Sequence, residues 1–410
     1  MGIYLNSDDT DFRSAVKYSR IYVDKTELIR YTNSVLFGEQ KYICVSRPRR
    51  FGKSMAANML TAYYSRGCDS RGLFQGLKIA THPDFEKHLN QYNVIHLNMR
   101  DYLTESENMK QLIQFVEDDL LDELQQEFSD LRMPRRKTLV KVLEQAFVQY
   151  KIPFVFIIDE WDCIFREYKT DREAQEKYLD FLRDLLKDKG YLALVYMTGI
   201  LPIKKYGTHS ALNMFTEYSM LNPREMAEFF GFTENEVKEL CLEYKRNFQE
   251  AQAWYDGYVL KNCQVYNPKA VVSVMLDGEF KSYWSETASY EAIVPLINMD
   301  YDGLKTAIIE MLSGVEVKVD TSTFGNDISN IQSKDDVLTY MIHLGYLGYD
   351  QTKKMAFVPN EEIRQELTKA VESKRWNEMF LFQQESERLL DATLDLDEEV
   401  VASQIGKIHD

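Results

Sequence analysis

The first half of the chain alternates short apolar runs with longer stretches in which apolar residues recur every three or four positions. The apolar runs are residues 42–46, 93–98, 154–158 and 192–198. Tyr42-Ile43-Cys44-Val45 and Phe154-Val155-Phe156-Ile157-Ile158 are apolar at every position. A strand with one wet face alternates, whereas a continuous apolar run suits a strand buried on both faces. The intervening stretches, such as residues 109–127 and 137–150, carry the helical period. Strand and helix in alternation predict an α/β fold: a parallel sheet with helices on both faces, joined by right-handed crossovers.

After about Lys205 the pattern changes. Short helical segments take over, at residues 223–230, 233–248 and 289–296. Thr233 followed by Glu236 reads as a capping box at the start of the second of these. From Val315 the pattern shifts again. Residues 315–324 alternate like a strand, and residues 335–344 read as a helix with Val337, Leu338, Met341 and Leu344 on one side. Residues 346–350 and 355–359, around a polar turn at 351–354, read as a hairpin. Helix followed by hairpin is the outline of a winged helix, with a plain α+β lid as the alternative. The last forty residues read as helical and acidic, most charged over 394–401. These shifts divide the chain into residues 1–205, 206–312 and 313–410.

Composition narrows the class. The chain has 410 residues, enough for two or three domains, with 45% hydrophobic and 28% charged residues. An aromatic content of 13% argues against disorder. The net charge of −16 disfavours phosphate backbones over the whole surface, so nucleic-acid binding would need a local patch. The densest basic run outside the loop described below is residues 132–137, which reads as a solvated bend between two helices. Five cysteines with no C-x-x-C spacing suit a reducing, cytoplasmic setting better than a disulfide framework or a zinc site. The six histidines show no metal-ligand spacing. The amino terminus lacks the basic start and apolar core of a signal peptide. The longest apolar stretch, residues 191–203, is too short to span a bilayer, so no membrane role is expected.

The candidate chemistry sits where strands end. Gly52-Lys53-Ser54 follows the run at 42–46 and opens a helical stretch, which is the setting of the phosphate-binding loop G-x-x-x-x-G-K-[ST]. A helix amino end offers free N–H groups and partial positive charge, Lys53 adds a full charge, and Ser54 is a Mg²⁺ ligand candidate. Arg47 stands where the first glycine belongs. With Arg49 and Arg50 it would add charge opposite a triphosphate, while Pro48 presets one dihedral of the turn. The run at 154–158 ends in Asp159-Glu160, the form of a Walker B element. There Asp159 would hold Mg²⁺ through water, and Glu160 would orient or deprotonate the attacking water. The run at 192–198 ends in Thr198, a candidate sensor of the γ-phosphate. Lys53, Glu160 and Thr198 are thus the candidate catalytic residues. Arg166 and Arg224 are candidate γ-phosphate arginines, with surface salt bridges the plainer reading. Trp254-Tyr255-Asp256-Gly257-Tyr258 reads as a packed aromatic turn.

Taken in order, Tyr22-Val23-Asp24-Lys25-Thr26, Ser46-Arg47-Pro48-Arg49-Arg50-Phe51-Gly52-Lys53-Ser54, Ile158-Asp159-Glu160-Trp161-Asp162, the turn at 254–258 and Tyr266-Asn267-Pro268 resemble the bacterial AAA-ATPase-like family. The resemblance covers nearly the whole chain. It implies a P-loop ATPase fold with a helical and winged-helix-like region behind it, and ATP rather than GTP. It implies phosphate contacts from Arg49, Arg50, Phe51, Gly52, Lys53, Ser54 and the adjoining Met55. It also implies Walker B roles for Asp159 and Glu160, and a place near the nucleotide for Asp24 and Lys25. Relatives commonly continue into a PD-(D/E)XK nuclease-like domain. No strand with that signature is visible, and the chain stops at residues 404–410, about where relatives enter it. The expected function is Mg²⁺-dependent ATP hydrolysis coupled to a conformational change of the C-terminal half. A slow nucleotide switch and a nucleic-acid module read by the winged-helix-like region are the alternatives. A protein partner or a second copy of the chain stays open.

Overall fold

Five parallel strands make the central sheet of the computed structural model, in the order β2-β3-β4-β1-β5. They are β1 (Tyr42–Ser46), β2 (Asn93–Asn98), β3 (Phe154–Asp159), β4 (Leu192–Gly199) and β5 (Thr216–Tyr218). The structure describes residues 2–203, 212–284, 293–299, 301–326 and 330–372, with scattered positions from 389 to 402. The boundary expected at 205/206, the first half of the helix expected at 289–296, much of the acidic C-terminal stretch and residues 404–410 lie outside the described residues, while Val294–Ile297 is helical.

The first four strands are those read from the apolar runs, with β3 and β4 each one residue longer. Their side chains alternate between two apolar layers, so the interiors of β1 and β3 hold no polar residue, while β2 carries His96. Ile43, Val45, Val155, Ile157 and Tyr196 pack beneath the helix Lys53–Tyr64. Tyr42, Cys44, Phe156, Ile158 and Met197 face the helices Met109–Glu127, Leu139–Tyr150 and Arg172–Leu186. The three-residue β5 carries no pattern long enough to read. β4 lies between β1 and β3, and the register pairs Ser46 with Gly199 and Asn98 with Asp159. The carboxyl ends of the strands therefore finish together, which is where open α/β sheets bind ligands.

The middle of the chain is more mixed than its periodicity suggests. The helix expected at 223–230 is a single 3₁₀ turn, Arg224–Met226. The stretch 233–248 breaks into helices Glu234–Tyr244 and Phe248–Tyr255. Lys245 turns left-handed at φ +56°, and the Asn247 side chain caps the second helix. The capping box of Thr233 and Glu236 is present. A small antiparallel sheet, which short strands hid from the sequence, joins β6 (Phe232–Thr233), β8 (Cys263–Tyr266) and β7 (Tyr258–Leu260).

The C-terminal region runs helix Leu304–Leu312, β9 (Val317–Lys318), helix Lys334–Leu344, then the hairpin of β10 (Gly348–Asp350) and β11 (Met355–Phe357). β9 pairs with β11, giving the winged-helix order, and helix Glu361–Glu372 follows. The strand expected over 315–324 shrinks to two residues. The same region is the reader in the alternative nucleic-acid reading. Helix Lys334–Leu344 is buried at every position from Asp336 to His343, so no face is left to enter a groove as a recognition helix does.

The two halves meet at the phosphate loop. Phe51 is fully buried in the C-terminal apolar cluster, edge-on to Tyr258 at 5.3 Å between centroids. The Gly231 N–H donates to the Phe51 carbonyl at 3.0 Å. Gly345 abuts Pro48 so closely that a Cβ there would lie 2.8 Å from the proline ring.

Candidate nucleotide site

β1 hands the chain to the loop, and the helix Lys53–Tyr64 takes it up. Gly52 caps that helix at φ +87°, a left-handed conformation that favours glycine. Arg50 also sits left-handed, at φ +85°. No N–H from Arg49 to Met55 bonds another described residue. The loop thus presents, at a helix amino end, N–H groups with no partner among the described residues, the arrangement that attracts anions. The Lys53 ammonium lies among them, buried, donating to the carbonyls of Arg47 (3.1 Å) and Pro48 (2.9 Å). Burial pulls its pKa down, while Glu160, Asp159 and Asp162 pull it back up. Ser54 and Met55 are exposed beside it.

Arg47 does not join this array, contrary to the expectation that it would face a triphosphate. Its side chain is fully buried and donates to the carbonyls of Ser46 (2.9 Å), Tyr218 (2.8 Å) and Met226 (3.3 Å). Its guanidinium lies over the Phe230 ring. Burial draws its pKa down to about 9. Where the usual loop needs a small residue, this one uses an arginine to tie β1 to β5 and the turn beyond. Arg49 and Arg50 are exposed.

At the ends of β3 and β4 the expected residues converge. Asp159 is buried, and its Oδ1 accepts from the Thr198 hydroxyl and from the Glu160 N–H at 2.9 Å. The other carboxylate oxygen accepts no bond from a described residue. Thr198 therefore orients Asp159. Glu160 sits at φ +52°, and its carboxylate pairs with Arg166. Arg166 also lies 3.2 Å from Asp162, which is completely buried. Arg166 is thus no surface salt bridge.

Beside Gly52 and Met55 opens an apolar cavity of about 170 Å³, walled by Ile21, Tyr22, Val23, Met59 and Phe232. Sequence reasoning missed these residues. For Ile21, Tyr22 and Val23 the signal was proximity to Asp24-Lys25, whereas Met59 and Phe232 carried none. Lys25 does line the cavity, with its ammonium bonded to Glu236 (2.6 Å) and to the Glu228 carbonyl (2.7 Å). Asp24 is turned elsewhere: it accepts from the Thr26 N–H (2.8 Å) and hydroxyl (2.7 Å) and from the Lys78 N–H at 2.7 Å. Arg224 bonds Asn222 and lines a separate cleft. The 254–258 turn is structural. Gly257 at φ +101° lies against the Pro359 backbone, and the Tyr258 hydroxyl donates to the Gly345 carbonyl at 2.7 Å. The basic run at 132–137 is a largely exposed connection between two helices, as read.

Residues 9–208 match the family described as "Predicted AAA-ATPase". Over these residues, just under half of its length, the chain is similar to the AAA-ATPase-like family. An uncharacterized protein of the vnfD 5′ region in Azotobacter chroococcum mcd 1 is 23% identical over 354 residues. The alignment covers 84% of this chain and 63% of the relative, so the chain spans under two thirds of that protein's length. Two structures of the Aeropyrum pernix ORC2 protein also align. One, of ADPNP–ADP complexes, covers 87% of this chain and 97% of its own at 9% identity, TM-score 0.34. The other, an ADP form, covers 88% and 98% at 10% identity, TM-score 0.33. At those scores the likeness carries no argument. Among the described residues, no helix is long and apolar enough to cross a membrane.

Proposed function

We propose that the chain binds ATP with Mg²⁺ and hydrolyses it where the loop meets the ends of β3 and β4. The observation that carries this reading is the run of N–H groups from Arg49 to Met55, without partners among the described residues, beside the carboxylates of Asp159 and Glu160. The α-, β- and γ-phosphates would take those donors, and Lys53 would exchange its loop carbonyls for phosphate oxygens. The apolar cavity beside Met55 suits the base, with Ile21, Tyr22 and Phe232 as its walls. Its position next to Gly52 supports one continuous nucleotide site.

The donor set fits a hard cation. Ser54 offers an exposed hydroxyl, and Asp159 a carboxylate with one oxygen uncommitted among the described residues. Bound there, Mg²⁺ would neutralise charge on the β- and γ-phosphate oxygens. Glu160 would accept the proton of a water whose oxygen bonds to the γ-phosphorus as the bond to the β–γ bridging oxygen breaks. Lys53 would offset the charge that develops. Thr198 acts through Asp159.

The clamp of Phe51 and Pro48 against the C-terminal half supports coupling of nucleotide state to that half. The parts meant are residues 206–312 and 313–410. Titration with a fluorescent ATP analogue tests the reading. Lys53→Ala should weaken binding about 100-fold, the loss of two or so charged hydrogen bonds. Chelation of Mg²⁺ should stop phosphate release. Undiminished binding by Lys53→Ala would remove the loop from the site.

A further inference from the structure

We propose that Arg166, itself held by Asp162, is the positioning residue for the Glu160 carboxylate. The inference rests on the ATPase reading above and adds to it the device that aims its base. Asp162 is the anchor. It is completely buried, and its Oδ2 accepts the N–H groups of Ile200 (3.1 Å) and Leu201 (2.9 Å), the two residues that follow β4. Gly199 closes the other side, since a Cβ there would lie 2.5 Å from Asp162 Oδ1 and 2.8 Å from the Trp161 ring. The Trp161 backbone N–H donates to the Thr198 carbonyl at 3.1 Å. The turn after β3 is thereby locked to the end of β4.

From that anchor Arg166 reaches back. Its side chain is 9% exposed, with Nε 3.2 Å from Asp162 and Nη2 bonded to Glu160. Burial pulls the guanidinium down, and Asp162 and Glu160 outweigh it and raise it, so the charge stays. Glu160 is fixed at its other end too. Its backbone is left-handed at φ +52°, and its N–H donates to Asp159. A non-glycine residue keeps such a conformation only where its surroundings over-determine it. A carboxylate held from both ends is a base set in place before its substrate arrives, which is where orientation has most effect on rate. The arginine also lines a cavity of about 350 Å³ with Tyr340 and Tyr346 of the C-terminal region.

The test compares Arg166→Ala, Arg166→Lys and Asp162→Asn with the wild type, for ATP turnover and for binding of a fluorescent ATP analogue. Arg166→Ala should lower kcat about 10- to 100-fold, with KM and the analogue Kd within about twofold. Arg166→Lys keeps the charge but reaches one carboxylate at a time, and should recover part of the loss. Asp162→Asn keeps an acceptor for Ile200 and Leu201 while freeing the arginine, and should resemble Arg166→Ala. If Arg166→Ala fails to fold, the other two variants carry the test. Unchanged or raised kcat in variants that bind ATP overturns the positioning role, as does an equal loss of kcat and analogue binding. A wild-type chain that binds no ATP overturns instead the reading on which this inference rests.

Discussion

Replacing Glu362 with glutamine is expected to stabilise the protein, by an amount that grows as the pH rises from about 4.5 to 7. Glu362 is 1% exposed, on the helix Glu361–Glu372, and accepts the N–H groups of Tyr283 (2.8 Å) and Trp284 (2.9 Å). Burial pushes its carboxyl up to about 7 from an ordinary 4.5, the two N–H bonds pull it down, and neighbouring Glu366 pushes it up. The folded state therefore binds a proton over a range in which the unfolded chain has released it, and stability falls as pH rises through that range. At about 1.4 kcal/mol per pH unit, the loss accumulates to about 3 kcal/mol above pH 7 and is absent below 4.5. Glutamine keeps an oxygen for both N–H groups and never ionises. Urea unfolding of both proteins at pH 5, 6, 7 and 8 reads the difference. A gap that widens towards pH 7 and then levels is the expected result. A gap that stays flat, or that favours the wild type as pH rises, would refute the argument from burial.

Phe51→Ala should cost about 3–5 kcal/mol, the usual penalty for emptying a buried phenylalanine site, and a denaturant midpoint measures it. A loss under about 1 kcal/mol would show that the ring does not anchor the loop to the C-terminal half. Gly231→Ala should cost about 3 kcal/mol, since its φ is +90° and the new Cβ would lie 2.0 Å from Val265 and 3.2 Å from Phe51. A variant as stable as the wild type would mean this contact yields easily. Glu160→Gln should bind ATP and turn it over about 100-fold more slowly. Equal turnover would favour a slow nucleotide switch over a working hydrolase.

Much of the site was legible because its signals are local. A run such as Phe154–Ile158 states burial on two faces through composition alone, and Asp159-Glu160 directly after it marks where that strand meets solvent. Gly52-Lys53-Ser54 names its conformation and its charge within three residues. The residues that escaped reading are those whose meaning depends on distant chain. Strands of two to four residues, as in β5 to β9, carry too little period to show, and only pairing makes them strands. Arg166 has the same sequence signature as a solvated arginine, and burial beside Asp162 gives it another role.

The sequence by itself determined the four long strands, the loop helix and the acids at the strand ends, because hydrophobic periodicity and turn chemistry act between near neighbours. The tertiary structure alone decided the apolar cavity, which gathers residues 15–25, 51–59, 231–232 and 268. It alone decided Arg47 as well. A buried guanidinium needs acceptors, and those it found, at Tyr218 and Met226, lie about 170 and 180 residues along the chain and come near only when the sheet closes.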